Sequence, residues 1–95
     1  MSKSKFKTFN NALCKLIILN LLDGNYISVA RLWLSYKSEF IPQLQDRLLM
    51  FISEHLPIDF KLPSFANYES YCLISTLKSD IYDMQCRFLG ITSTN

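Results

Sequence analysis

Apolar side chains recur at intervals of three and four along most of this chain, which is the spacing of one face of an α-helix. The first such block covers about 10–22. Its apolar members are Phe9, Leu13, Leu16, Ile17 and Leu21. The block stops at Asp23 and Gly24, where glycine can adopt the left-handed conformation that ends a helix. The pattern therefore predicts a first helix that ends just before Gly24.

Two further helices are predicted in the centre of the chain. Asn25 can cap a helix over about 26–37 through its side-chain oxygen. Pro42 suits the first turn of the next helix, because its missing N–H would be unpaired there in any case. The apolar face of the second helix is Tyr26, Val29, Ala30, Trp33 and Tyr36. The buried stripe of the third helix is Leu44, Leu48, Phe51, Ile52 and Leu56.

The segment 56–65, LPIDFKLPSF, contains two of the three prolines and is predicted to be an extended connector. Its apolar residues alternate, and we expect them to pack across the helices. These residues are Ile58, Phe60, Leu62 and Phe65. A strand in this segment would have no clear partner in the sequence, so a connector is the better interpretation.

The last apolar block, about 67–89, is the longest and ends at Gly90. Five of its residues step by three, four, three and four, namely Ile74, Leu77, Ile81, Met84 and Phe88. This is the a/d spacing of a helix that lies along another helix. The seam can pack on the first three helices, or it can receive a helix of another molecule. Its spacing is compatible with both arrangements.

Length and composition indicate a single domain that is rich in apolar side chains. The chain has 95 residues, of which 49% are hydrophobic and 14% aromatic. This is ample for a packed core. We expect one helical domain at 10–90, between a flexible basic tail at 1–9 and a short tail at 91–95. A domain this small cannot easily hide so much apolar surface, and a partner chain is one way to cover the excess.

Charge and cysteine content argue against several classes of protein. The formal charge is +2, but Lys3, Lys5 and Lys7 lie in the first seven residues, and beyond them seven basic residues face eight acidic ones. This leaves no basic stripe of the kind that binds nucleic acid. Three separated cysteines without a CxxC motif favour reduced thiols and a cytoplasmic location. The first apolar block is too short and too polar to span a bilayer, so no membrane insertion is expected.

Few residues are candidates for catalysis or metal binding. His55 is the only histidine, and a cation at its predicted position favours the C-terminal dipole of the third helix, so a structural role is expected. No local signature pairs it with a cysteine nucleophile. Asp80 and Asp83 could hold a cation together, but we expect them on a solvated face. The sequence therefore predicts a protein that is not an enzyme and that uses no metal or cofactor.

The stretch LNLLDGNYISVARLW resembles two helical modules. It is similar to the hairpin of tetratricopeptide repeats, with Gly24, Asn25 and Tyr26 in the turn, although Val29 stands where that family has a small residue and Ala30 comes one position later. It also resembles the LisH dimerisation motif, in which a glycine takes the place of Asn25. The residues at the apolar LisH positions are Leu13, Ile17, Leu21, Tyr26, Ala30 and Trp33. The first resemblance implies a tetratricopeptide-like all-α fold, and the second implies a homodimer.

Among tetratricopeptide-like proteins of this size, the small cytosolic chaperones of type III secretion needle subunits are similar in layout. That resemblance implies a chaperone or adaptor that holds an amphipathic helix of a partner protein. The expected partner-binding residues are Trp33, Tyr36, Tyr71, Ile74, Leu77, Ile81, Met84 and Phe88. Two alternatives stay open. One is LisH-like self-association through the first hairpin, and the other is a small mobile-element inhibitor that blocks a host complex.

Overall fold

The computed structural model describes residues 2–57 and 59–90, with side chains described from Asn10 onward. These residues form four α-helices, α1 (Ser2–Leu22), α2 (Tyr26–Tyr36), α3 (Pro42–His55) and α4 (Tyr68–Leu89). A 3-10 turn, Lys37–Glu39, follows α2, and the described ranges contain no strand. The all-α class predicted from the sequence is confirmed. The predicted tail at 91–95 lies outside the described residues.

The first helix is longer than predicted, because it begins at Ser2 and not near residue 10. The first nine residues contain neither glycine nor proline. Lysine is also a good helix former, so nothing in this basic stretch interrupts the helix. The flexibility of residues 1–9 stays a prediction.

Glycine and proline end and start the helices where they were predicted to do so. Gly24 and Gly90 have φ angles of +80° and +69°, the left-handed conformation that follows a helix C-terminus. Pro42 occupies the first turn of α3. These three positions therefore define the limits of α1, α3 and α4.

Two asparagines precede helices, but only one of them caps its helix. Asn67 has the extended ψ of 166° before α4, and its Oδ1 accepts a hydrogen bond from the Ser70 N–H at 2.9 Å. Asn25 was predicted to cap α2 in this way, and that prediction is wrong, since its side chain makes no capping hydrogen bond. Its ψ of 68° departs from the extended conformation that directs a capping side chain at the helix.

The four helices enclose one core, because α2 and α3 each pack against both α1 and α4. Phe40, between α2 and α3, joins this core and stacks on Trp33 with the ring centroids 6.4 Å apart. The fifteen buried apolar residues are Leu13, Ile17, Leu21, Val29, Ala30, Trp33, Phe40, Leu48, Leu49, Ile52, Leu56, Ile74, Leu77, Ile81 and Met84. Four members of the α4 seam are among them.

The connector between α3 and α4 is held on the helices by its central residues. The ring of Phe60 meets that of Tyr26 edge to face, with centroids 4.8 Å apart. Leu62 is also half-buried against the core. The prediction that the connector packs across the helices is therefore confirmed for these two residues.

The end of the connector does not pack as predicted. Phe65 was expected to lie across the helices, but it is 88% exposed. A turn in which the Ala66 N–H donates to the Pro63 carbonyl oxygen at 2.9 Å places Phe65 at its tip, where a side chain faces away from the chain. Ile58, the remaining member of the predicted row, lies outside the described residues.

Candidate protein-binding surface

Five of the eight predicted partner-binding residues lie inside the core of the chain. Trp33, Leu77 and Met84 are at most 1% exposed, and Ile74 and Ile81 are 5% and 8% exposed. Side chains buried to this degree are closed to a second molecule in the folded chain. Of the two arrangements compatible with the α4 seam, the structure has the one in which the seam packs on the other helices, and these five residues are accordingly core residues.

The other three predicted residues are exposed but do not form one site. Tyr36, Tyr71 and Phe88 are 38%, 43% and 60% exposed. Tyr71 donates its hydroxyl to the Pro63 carbonyl oxygen at 3.1 Å and lines a groove beside the connector. Phe88 instead lines a cleft of about 360 Å³ with Met50 of α3. Partner binding by these three side chains stays a prediction.

An exposed apolar surface lies on α1, where the sequence pattern did not single it out. Its residues are Leu16, Leu19 and Leu22, which are 45%, 53% and 59% exposed, and we name them the leucine face. The opposite side of the same helix supplies Leu13, Ile17 and Leu21 to the core. Since both sides are apolar over 16–22, this part of α1 lacks the charged outer side of an ordinary surface helix.

The leucine face carries almost no charge. Between Asn10 and Leu22 the sequence has a single charged residue, Lys15. Leu16 was predicted to share the buried stripe with Ile17, but neighbouring residues point about 100° apart around a helix, so only Ile17 faces the core centre. The sequence signal for this face was the nearly continuous apolar run over 16–22, because a helix that is apolar all round is usually covered on more than one side.

A groove of about 430 Å³ lies between the connector and α4. Phe60, Leu62 and Ile74 are among its lining residues, and Lys61 and Lys78 border it. The Lys78 ammonium donates to the Phe60 carbonyl oxygen at 3.0 Å and lies 6.0 Å from the centroid of that ring. This ammonium therefore holds the connector on α4. The groove lies where these two segments pack together, so its residues have a structural role.

A polar contact joins α2 to α4 beside the seam. Asp80 Oδ2 accepts hydrogen bonds from Trp33 Nε1 at 2.8 Å and from Lys37 Nζ at 2.9 Å. The Asp80 side chain is only 21% exposed, so its assignment to a solvated face was wrong. Asp83 is exposed as predicted. The contact supplies the acceptor that a buried indole N–H requires, and this makes Asp80 a structural residue.

The groups best suited to chemistry have structural contacts. His55 stacks on Phe51 with centroids 4.3 Å apart, and its Nδ1 lies 3.0 Å from the Phe51 carbonyl oxygen. Burial raises the pKa of the Cys14 thiol, which lowers its thiolate fraction at neutral pH and makes it a poorer nucleophile. Among the residues that the structure describes, no group of three or more His, Cys, Asp or Glu side chains is placed to hold a metal ion.

Comparisons with protein-family models, with curated proteins and with solved structures gave no match. None of the described helices combines the length and the apolar content that crossing a membrane requires. The candidate site therefore rests on the geometry of the chain itself, in which the leucine face of α1 is the apolar helix surface left open beside the core.

Proposed function

We propose that this protein is a non-enzymatic binding module that holds an amphipathic helix of a partner protein on the leucine face. The exposure of Leu16, Leu19 and Leu22 on the part of α1 over 10–22, where Lys15 is the single charged residue, is the observation that supports it. Leucines three residues apart form a ridge that can lie in the groove between side chains of a second helix. Covering them gains about 25 cal/mol per Å² of apolar surface removed from water.

A small cytoplasmic chaperone or adaptor, working as a subunit of a complex, is the concrete form of the proposal. The resemblance of the α1–α2 turn to tetratricopeptide hairpins, and of the layout to needle-subunit chaperones of type III secretion, supports this form. The separated cysteines support the cytoplasmic location. The structural contacts of His55 and Asp80 support a role without catalysis.

A pair of charge variants tests the proposal. Leu16→Glu combined with Leu19→Glu puts two carboxylates on the leucine face, where an apolar partner helix would have to desolvate them. Tagged chains are expressed in the source cells, co-purifying proteins are identified, and the binding segment is titrated as a peptide by calorimetry. We expect the double variant to bind that peptide at least about tenfold more weakly, a loss of about 1.4 kcal/mol.

The control adds the same charge elsewhere. Ser28→Glu combined with Ser35→Glu changes two exposed positions of α2 and is expected to keep the wild-type affinity. Circular dichroism and urea midpoints show whether both variants are folded. A partner that binds both variants equally well contradicts the proposal, as does a partner whose binding segment is not an amphipathic helix.

A further inference from the structure

The outer side of α4, opposite the seam, carries a second row of residues at a/d spacing. Its steps alternate between four and three, and we name it the outer row. The row consists of Tyr68, Cys72, Ser75, Ser79, Tyr82, Cys86 and Leu89. All are exposed except Cys86, which is half-buried, and Tyr68 and Tyr82 are 83% and 60% exposed. This is the side on which a surface helix normally carries its charged residues.

The outer row contains no charged residue, although α4 has five of them. The five are Glu69, Lys78, Asp80, Asp83 and Arg87. Three form ion pairs with residues of α2, its following turn or α3, and a fourth bonds to the connector. Four of the five charges of α4 are therefore held in contacts on its flanks, and the fifth, Asp83, is exposed beside the outer row.

The order of large and small residues in the outer row is complementary to itself. A tyrosine followed four residues later by a cysteine occurs twice, 14 residues apart. When a second α4 is laid antiparallel, with residue 77 at the crossing point, each tyrosine comes opposite a cysteine of the second copy. Ser75 then comes opposite Ser79 of the second copy, so the two backbones can approach closely. A parallel arrangement would bring tyrosine against tyrosine at both levels.

Contact between these side chains is favourable. Within one chain, a hydrogen bond with the Cys72 thiol raises the pKa of the Tyr68 phenol, and Cys86 acts on Tyr82 in the same way. Sulfur beside an aromatic ring is also a favourable packing contact. The antiparallel arrangement would bring together two tyrosines and two thiols at each end of the contact. It also places the positive end of each helix dipole beside the negative end of the other.

We propose that the outer row is an interface between two copies of this chain, which pair their α4 helices antiparallel about a two-fold axis. In such an interface each copy contributes the same residues, and this explains why the row is complementary to itself. The outer row lies on α4 and the leucine face on α1, so this dimer proposal does not depend on the proposed function. A helix of 22 residues is about 33 Å long. One face of that length makes a small interface, so we expect a reversible dimer.

Disulfide trapping tests the direction of pairing. The trapping variant carries Cys14→Ala, Cys86→Ser and Tyr82→Cys, so its thiols are at positions 72 and 82. These positions are about 15 Å apart in one helix, too far for a bridge within a chain. In the antiparallel dimer, position 72 meets position 82 of the second copy, and mild oxidation should give a covalent dimer on a non-reducing gel.

The matched control lacks Tyr82→Cys and keeps Cys72 as its only thiol. In the proposed dimer the two Cys72 residues are about 15 Å apart along the axis, so this chain should stay monomeric on the gel. A covalent dimer from the control would indicate parallel pairing and overturn the proposal. Failure of the trapping variant to cross-link at concentrations where the native chain is dimeric would also overturn it.

Sedimentation velocity on the native chain measures the association itself. At about 100 µM we expect a species of twice 11.1 kDa that dissociates on dilution. Ser79→Arg puts a bulky charge at the centre of the outer row and should weaken the dimer at least about tenfold. Ser35→Arg, at an exposed position of α2, should leave it unchanged. A monomer at every concentration, or a dimer that withstands Ser79→Arg but not Leu16→Glu with Leu19→Glu, rules the outer row out.

Discussion

Asp80 stabilises the fold because one of its carboxylate oxygens accepts two hydrogen bonds. Its Oδ2 lies 2.8 Å from Trp33 Nε1 and 2.9 Å from Lys37 Nζ. Trp33 is 1% exposed, and a buried N–H without an acceptor costs about 1–3 kcal/mol. The Lys37 side chain is 40% exposed, and an ion pair of that kind contributes at most about 1 kcal/mol. The hydrogen bond from Trp33 is therefore the larger of the two contributions.

We expect Asp80→Ala to lower the free energy of unfolding by about 1–3 kcal/mol, because Trp33 loses its acceptor. Asp80→Asn keeps an acceptor oxygen and loses mainly the ion pair, so its cost should be about 1 kcal/mol or less. Urea titration followed by circular dichroism measures both changes. Asp83→Ala removes an exposed carboxylate from the same helix and should cost less than about 0.5 kcal/mol. Equal losses for Asp80→Ala and Asp83→Ala would contradict this account.

At the residue scale, the sequence could predict the side of α2 on which Trp33 lies, but not the residue that accepts its hydrogen bond. The spacing of α2 places Trp33 on the apolar face of that helix, and its burial agrees with this placement but not with its assignment to the partner-binding residues. Asp80 lies on a flank of α4, between the seam and the solvent. Whether a flank residue meets water or a neighbouring helix depends on how α2 and α4 lie against each other. No local pattern in the sequence contains that information.

At the scale of the helices, boundaries set by backbone constraints could be predicted better than those set by a side chain. The helix ends at Gly24 and Gly90 and the helix start at Pro42 follow from residues with special φ preferences. Asn25 comes one residue after Gly24, and its N–H donates to the Asn20 carbonyl oxygen at 2.9 Å. This hydrogen bond closes the C-terminus of α1, and α2 begins directly after it without a side-chain cap.

Replacing each of the two asparagines by alanine therefore tests which of them caps its helix. Asn67→Ala removes the acceptor for the Ser70 N–H and should lower the free energy of unfolding by about 1 kcal/mol, within the range of about 0.5–2 kcal/mol for lost N-caps. Asn25→Ala removes no capping hydrogen bond, so we expect a change below about 0.5 kcal/mol. Thermal and urea unfolding of both variants give the comparison. A larger loss at Asn25 than at Asn67 would show that the side chain of Asn25 does cap α2.

At the scale of the whole molecule, the order of the helices could be predicted, whereas the surface they leave open could not. Apolar spacing indicates that a helix face is covered, but not whether the same chain or another one covers it. The α4 seam and the leucine face of α1 look alike in this respect. Only the packing of α2 and α3 against both α1 and α4 encloses the seam and leaves Leu16, Leu19 and Leu22 outside.

Met84 and Met50 give a direct test of which apolar positions belong to the core. Met84 is fully buried in the seam, whereas Met50 on α3 is 37% exposed. We expect Met84→Ala to lower the free energy of unfolding by about 2–5 kcal/mol, since it leaves a cavity. Met50→Ala should cost less than about 1 kcal/mol.

Urea unfolding of both methionine variants, at concentrations where sedimentation shows a monomer, measures the difference. Because Met84 is covered by its own chain, its loss should not depend on protein concentration, unlike a contact between subunits. If the seam served a second molecule instead, Met84→Ala would leave the unfolding of the monomer unchanged and would weaken only the binding of that molecule. Such a result would move the binding surface from the leucine face back to α4.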